Sequence, residues 1–253
     1  MQDKYAGDIG DYGKFILLNQ VLQAAGNNSK LGINWYRIVH QELNNNDGRH
    51  IDYLKPGPQE QDFSCCSPVI YSKLRDLVAG KDRSIAALER SSLLRQGTLY
   101  YTNVLPQWAK TRNALCEARA EWFHESLASL KGSDILFLDP DNGIQTQTVK
   151  PTQKRAVKYA LYKEIEGYFA TCEILIVYQH RDHTAQEEYV RKFTYVKSIL
   201  GRDVALRVLH FHRVSARDYA FYFTAKSRST VSAVFSRLSN RPLNCLFAEL
   251  PHW

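Results

Sequence analysis

No stretch of about 18 consecutive apolar residues occurs in this 253-residue chain, so a membrane-spanning helix is not expected. The opening Met1-Gln2-Asp3-Lys4-Tyr5-Ala6-Gly7-Asp8 has no apolar core like that of a secretory signal, which makes the cytoplasm the expected location. The five cysteines are odd in number and lack CxxC spacing, so neither a disulfide framework nor a structural zinc site is indicated and reduced thiols are expected. There is no HExxH motif, no internal repeat and no low-complexity tract. Glycine is also sparse where phosphate or cofactor loops need it: Asn44 to Gly48 contains one.

What is present suits a packed α/β protein. Hydrophobic residues make up 44% of the chain and aromatics 12%, enough to fill one large core, and one domain over 1–253 with a loop-rich insertion at about 41–68 is the default reading. Thirty-three Lys and Arg against 26 Asp and Glu leave a net charge of +7, which favours an anionic partner such as a nucleic acid or nucleotide. Oligomeric state is not encoded in any pattern here.

Apolar spacing predicts a helix over Lys14–Ala25, then a strand over Leu31–Val39. Ile135–Leu138 and Ile174–Tyr178 are continuous apolar runs, as in strands covered on both faces. Helices are expected over Gln153–Ala170 and Ala185–Leu200, followed by an antiparallel hairpin of Ala205–Phe211 and Tyr219–Ala225. This alternation predicts a Rossmann-like, methyltransferase-type α/β fold, with a mostly parallel sheet, flanking helices and an antiparallel C-terminal strand.

In such sheets ligands bind beyond the carboxyl ends of the strands, and three polar clusters fall there. Asp139-Pro140-Asp141-Asn142-Gly143 follows a buried strand, where carboxylates must be solvated, paired or ligated. Gln179-His180-Arg181-Asp182-His183 follows the next strand and offers groups for phosphate, metal or proton transfer. Asn46-Asp47-Gly48-Arg49-His50 follows the first strand, where this fold places its cofactor loop. The acidic turn, the His-Arg segment and the N-terminal Gly-Asp motif are expected to line one cleft.

Ala6-Gly7-Asp8-Ile9-Gly10-Asp11-Tyr12-Gly13-Lys14 resembles the Ala-Gly-Asn-x-x-Asp-x-x-Lys opening of the adenine-N6 methyltransferases that act on 23S rRNA. Gly48-Arg49 is similar to the Gly-Arg that ends their cofactor loop. Trp122-Phe123-His124, Leu127 to Leu130 and Lys131 to Ser133 resemble the acidic-aromatic loop, helix and polar turn that precede their Asp-Pro-Pro-Tyr motif, and Asp139-Pro140 matches its first half. The resemblance implies S-adenosylmethionine as cofactor, approached by Lys14, Gly48 and Arg49, with Asp47 and His50 expected beside them from their place after the first strand. It carries Asp139 and Pro140 over as catalytic; by position Asp141, Asn142 and His180 are expected to join them, with Asp8, Asp11, Tyr178 and Arg181 against the substrate. Asp141 and Asn142 stand where the family has a second proline and a base-stacking aromatic.

Two other readings stand beside methyl transfer. One is a metal-dependent phosphodiesterase or nuclease using Asp139, Asp141, His180 and His183 around a divalent cation. The other is an inactive scaffold that binds nucleic acid. The aromatic run Tyr219–Phe223 is read as core, because alternate strand residues face inward.

Overall fold

Strands whose side chains are apolar on both faces set the architecture. In the computed structural model, residues 1–39, 50–57, 60–80, 82–181, 184–214 and 216–251 are described. In chain order the elements are α1 (Ile9–Ala25), β1 (Leu31–Asn34), α2 (Glu60–Ser64), α3 (Pro68–Ala79), α4 (Ile85–Arg90), β2 (Leu99–Tyr101), α5 (Arg112–Ser129) and β3 (Ile135–Leu138). There follow β4 (Gly143–Ile144), β5 (Tyr159–Ala160), α6 (Tyr162–Phe169), β6 (Ile174–His180), α7 (Gln186–Leu200), β7 (Ala205–Phe211), β8 (Arg217–Phe223), α8 (Arg228–Leu238) and β9 (Phe247–Glu249). Short 3-10 turns join several of these. No helix among the described residues is long and apolar enough to cross a membrane.

Seven strands form one sheet in the order β2-β1-β3-β6-β8-β7-β9. β2, β1, β3 and β6 pair in parallel, whereas β8 is antiparallel to β6 and β7, and β9 is antiparallel to β7. Five strands therefore run one way and two the other, a Rossmann-like sheet with an antiparallel C-terminal end. Every residue of β1 and of β3 is buried, because helices cover both faces. Ile33, Phe137, Ile176 and Phe221 pack with α1, α3 and α8 on one face; Leu136, Val177, Ala220 and Tyr222 pack with α5, α6 and α7 on the other.

From β1 the chain passes to β2 on one side, then crosses back to β3 on the other. The carboxyl ends of β1 and β3 thus flank the point where the strand order reverses, which opens a crevice in folds of this kind.

Several boundaries differ from the sequence expectations. α1 starts at Ile9, not Lys14, because Asp8 Oδ1 accepts the Asp11 N–H at 3.0 Å and caps the helix. β1 stops at Asn34, whose Oδ1 accepts the Tyr36 N–H and turns the chain into the left-handed region at Tyr36 (φ +45°). Trp122-Phe123-His124 lies inside α5 and is not a loop. The helix expected over Gln153–Ala170 is a 3-10 turn, then β5, then α6; pairing of Tyr159–Ala160 with Gly143–Ile144 breaks it. In the stretch 41–68, residues 41–49 and 58–59 lie outside the described residues, and the remainder includes a 3-10 turn at Asp52–Leu54 and α2.

Candidate functional site

The site is assembled at the carboxyl end of β3. The Asp139 N–H donates to Asn34 O at 3.0 Å, extending the β1–β3 ladder by one residue past the strand. Asp139 then meets α1, where Lys14 Nζ lies 2.7 Å from Asp139 Oδ2 and 2.9 Å from Asp11 Oδ1. Asp11 Oδ2 accepts the Gly7 N–H at 2.9 Å. Lys14 also sits over the Trp35 ring, 5.2 Å from its centroid. All three charged side chains are buried, so one ammonium is shared by two carboxylates out of reach of bulk water.

The electrostatics follow from that arrangement. Burial pushes the Asp139 carboxyl above its ordinary range, with Lys14 opposing, and does the same to Asp11. Burial alone would lower the Lys14 ammonium, but Asp11 and Asp139 outweigh it and hold it well above the usual lysine value. Among the described residues the side-chain hydrogen bond to the Asp139 carboxylate comes from Lys14 and goes to Oδ2.

Asp141 is held separately. The Met1 ammonium lies 2.9 Å from its Oδ1 and donates to the carbonyls of Trp35, Tyr36 and Asp139, while Gln2 Nε2 donates to Asp141 Oδ2 at 2.6 Å. Burial raises the Asp141 carboxyl, but the ammonium and these hydrogen bonds outweigh it and leave the group below the ordinary carboxylate range. Pro140 is buried beside it. Asn142 Nδ2 donates to Tyr159 Oη at 3.0 Å, and its carbonyl accepts from Gln179 Nε2 and from the His180 N–H.

The N-terminal motif, the acidic turn and the carboxyl end of β6 therefore meet. Gly143 makes the last junction possible: its φ is +108°, and a Cβ there would lie 2.8 Å from the Gln179 Cα. His50 is exposed, but its carbonyl accepts the Ile9 N–H at 2.9 Å, which brings it to the start of α1. Tyr178 packs against Tyr219 with ring centroids 6.1 Å apart, and burial pushes its hydroxyl up to about 12.

Other expected members are elsewhere. Asp8 is the α1 cap. Arg181 turns away from Asp139 to Asp218, Gln186 and the Tyr189 ring beside α7. Asp47, Gly48 and Arg49 lie outside the described residues, as does His183. The metal set of Asp139, Asp141, His180 and His183 does not assemble among the described residues: one carboxylate faces Lys14 and the other the Met1 ammonium, and no three His, Cys, Asp or Glu side chains there are placed to hold a cation.

Sequence reasoning missed Arg217, Tyr219 and Gln2. Arg217 is 7% exposed, and its guanidinium is held charged, against the opposing effect of burial, by Tyr178, Asp8 and Asp11 among its neighbours. Gly10 leaves it room, since a Cβ there would fall 1.3 Å from Arg217 Nη1. The one signal in the sequence was Arg217-Asp218 at the head of an aromatic strand. Tyr219 Oη and Gln2 Oε1 are buried with no hydrogen-bond partner among the described residues.

No family model and no curated protein matches the chain. Among solved structures, protein LPL1258 from Legionella pneumophila, assigned to family model DUF519, aligns over 97% of each chain at 11% identity with a TM-score of 0.47.

Proposed function

We propose that the chain is an S-adenosylmethionine-dependent methyltransferase acting on a nucleic acid or nucleotide. The observation that carries this reading is Asp139, fixed by Lys14 through Oδ2 with Oδ1 unengaged among the described residues, at the end of β3 beside the point where the strand order reverses. An acceptor so placed orients an amino group of a base, and its raised proton affinity suits it to draw the N–H proton as the new bond forms.

The residues present suit a nucleoside-linked amino acid. Buried Tyr219 Oη and Gln2 Oε1 lack partners among the described residues, and both cations and carboxylates stand close by. Bound S-adenosylmethionine would supply the electrophilic methyl group. Lys14 holds Asp139 in place, Arg217 adds positive charge beside the start of α1, and Tyr178 offers an aromatic wall.

Thermal unfolding with S-adenosylhomocysteine tests the cofactor half, because a ligand bound only by the folded state raises the midpoint. The expected result is a concentration-dependent rise in the native protein, with transfer of labelled methyl to an oligonucleotide or nucleotide lost in Asp139→Asn. No rise with the nucleoside, together with a rise on adding Mn²⁺ alone, would overturn the proposal in favour of metal-dependent hydrolysis. Silence to both would favour a binding scaffold.

A further inference from the structure

Residues 142–163 contain five Lys and Arg and no Asp or Glu, so these 22 residues carry five of the chain's seven excess positive charges. They form a flap that leaves the body directly after the acidic turn and returns at α6. Its base is closed by the parallel β4–β5 pair, by Asn142 N–H to Lys158 O at 2.8 Å and by Gln145 N–H to Ala160 O at 2.9 Å. Val149, Ala156 and Leu161 give it a small apolar core of its own.

The body fixes the flap through one buried arginine. Arg119, from α5, makes a two-pronged ion pair with Glu164 and directs its remaining donors to the flap: Nη1 to Ala156 O at 2.8 Å and Nη2 to Tyr159 O at 2.7 Å. The outer surface is therefore preformed. Lys150, Lys154, Arg155, Lys158 and Lys163 are all exposed on it, and none forms a salt bridge among the described residues. Arg155 is braced by Gln153 Oε1 and Thr148 O, and Lys158 lies near enough to Asp141 to help hold its carboxyl down.

We infer that this flap is the docking surface for the sugar-phosphate backbone of a single nucleic-acid strand, so that the substrate is a polymer and not a free nucleotide. The inference deepens the proposed function and rests on it only for where the reacting base would go, next to Asp139. A rigid surface with several cations and no acid can neutralise several phosphates of a polyanion at once, each releasing counterions. A mononucleotide has one phosphate and cannot use them together. Exposed Gln147, Thr148 and Thr152 add neutral donors on the same surface.

The test measures binding of a labelled 20-nucleotide strand, as RNA and as DNA, by the full chain across a salt series. The substituted protein carries Lys150→Glu, Lys154→Glu, Lys158→Glu and Lys163→Glu. The control carries Lys30→Glu, Lys131→Glu, Arg202→Glu and Arg228→Glu, the same charge change at the opposite end of the sheet. The flap variant should bind at least tenfold more weakly, with the slope of log affinity against log salt reduced by about 0.7 for each phosphate the flap no longer neutralises. The control should keep the native slope, and whichever sugar binds more tightly identifies the strand. Equal weakening in both variants, no binding by the native chain, or equal competition by a nucleoside monophosphate would overturn the inference. S-adenosylhomocysteine binding, measured on both variants, separates the two claims: the flap inference can fail while cofactor binding persists, and flap-dependent strand binding can persist while cofactor binding fails.

Discussion

Lys14 is the residue on which the buried charges depend. It is the one cation within hydrogen-bond distance of both Asp11 and Asp139 among the described residues, and removing it would leave two buried carboxylates without their counter-charge. Lys14→Met is expected to cost about 3–5 kcal/mol, read from urea midpoints, since breaking a buried pair strands the partner. A loss below about 1 kcal/mol would mean the carboxylates find water. Asp139 carries a pH signature as well. Its folded-state proton affinity is raised by burial against Lys14 and the N-terminal ammonium, with Asp11 adding to the rise. The associated stability is complete below the unfolded value of about 3.9 and is lost as pH climbs through the higher folded one. Asp139→Asn lacks that loss, so its stability relative to the native protein should improve as pH rises above the unfolded value of about 3.9; a gap that widens with pH would contradict this. Lys14, Asp11 and Asp139 were all legible in the sequence, as polar residues at motif spacing. Arg217 and Tyr219 were not, because their place beside α1 comes from the β6–β8 register, which no local pattern encodes.

At the scale of elements, the flap and its anchor carry the main departure from expectation. Gln153–Ala170 has the apolar spacing of a helix, and its second half is one. The first half is drawn into β5 by Asn142 and Gln145, which bond to Lys158 and Ala160 outside the segment's own helical reach, so a helical reading of that segment alone had no means of finding the break. Arg119 and Glu164 have side chains 6% and 5% exposed, and Glu164 also accepts the Tyr36 hydroxyl and the Leu161 N–H. Arg119→Met should therefore cost about 3–5 kcal/mol. It should also speed hydrogen exchange at the Asn142 and Gln145 amides, which close the flap base, before it affects β3 or β6. Uniform acceleration throughout the sheet would show that the anchor serves the whole core. Gly143→Ala is expected to cost about 1–3 kcal/mol, because the φ of +108° and the approach to Gln179 both oppose a side chain. An unchanged denaturation midpoint would refute that account.

At the scale of the whole molecule, the layered α/β architecture was the most legible feature, since continuous apolar runs at β3 and β6 demanded helices on both faces. What the runs left open was which strands neighbour one another, and that decides whether separate polar clusters meet. The cysteines offer a way to follow the assembly. All five are free, and they differ in setting: Cys65 is exposed, whereas Cys172 sits just before β6, where burial pushes its thiol up to about 12. A thiol reacts as the thiolate, so at pH 7.5 the native protein should be alkylated at Cys65 within minutes while Cys172 stays unmodified. Cys172 is half-buried and its thiolate is suppressed, so in the folded protein it is labelled slowly. Its rate should rise with urea in step with global unfolding, whereas the Cys65 rate should barely change. Mass spectrometry of quenched time points reads both sites in one sample. Cys172 modified as fast as Cys65 without denaturant would mean that its half-buried thiol is reached in the folded protein and that burial does not suppress its thiolate.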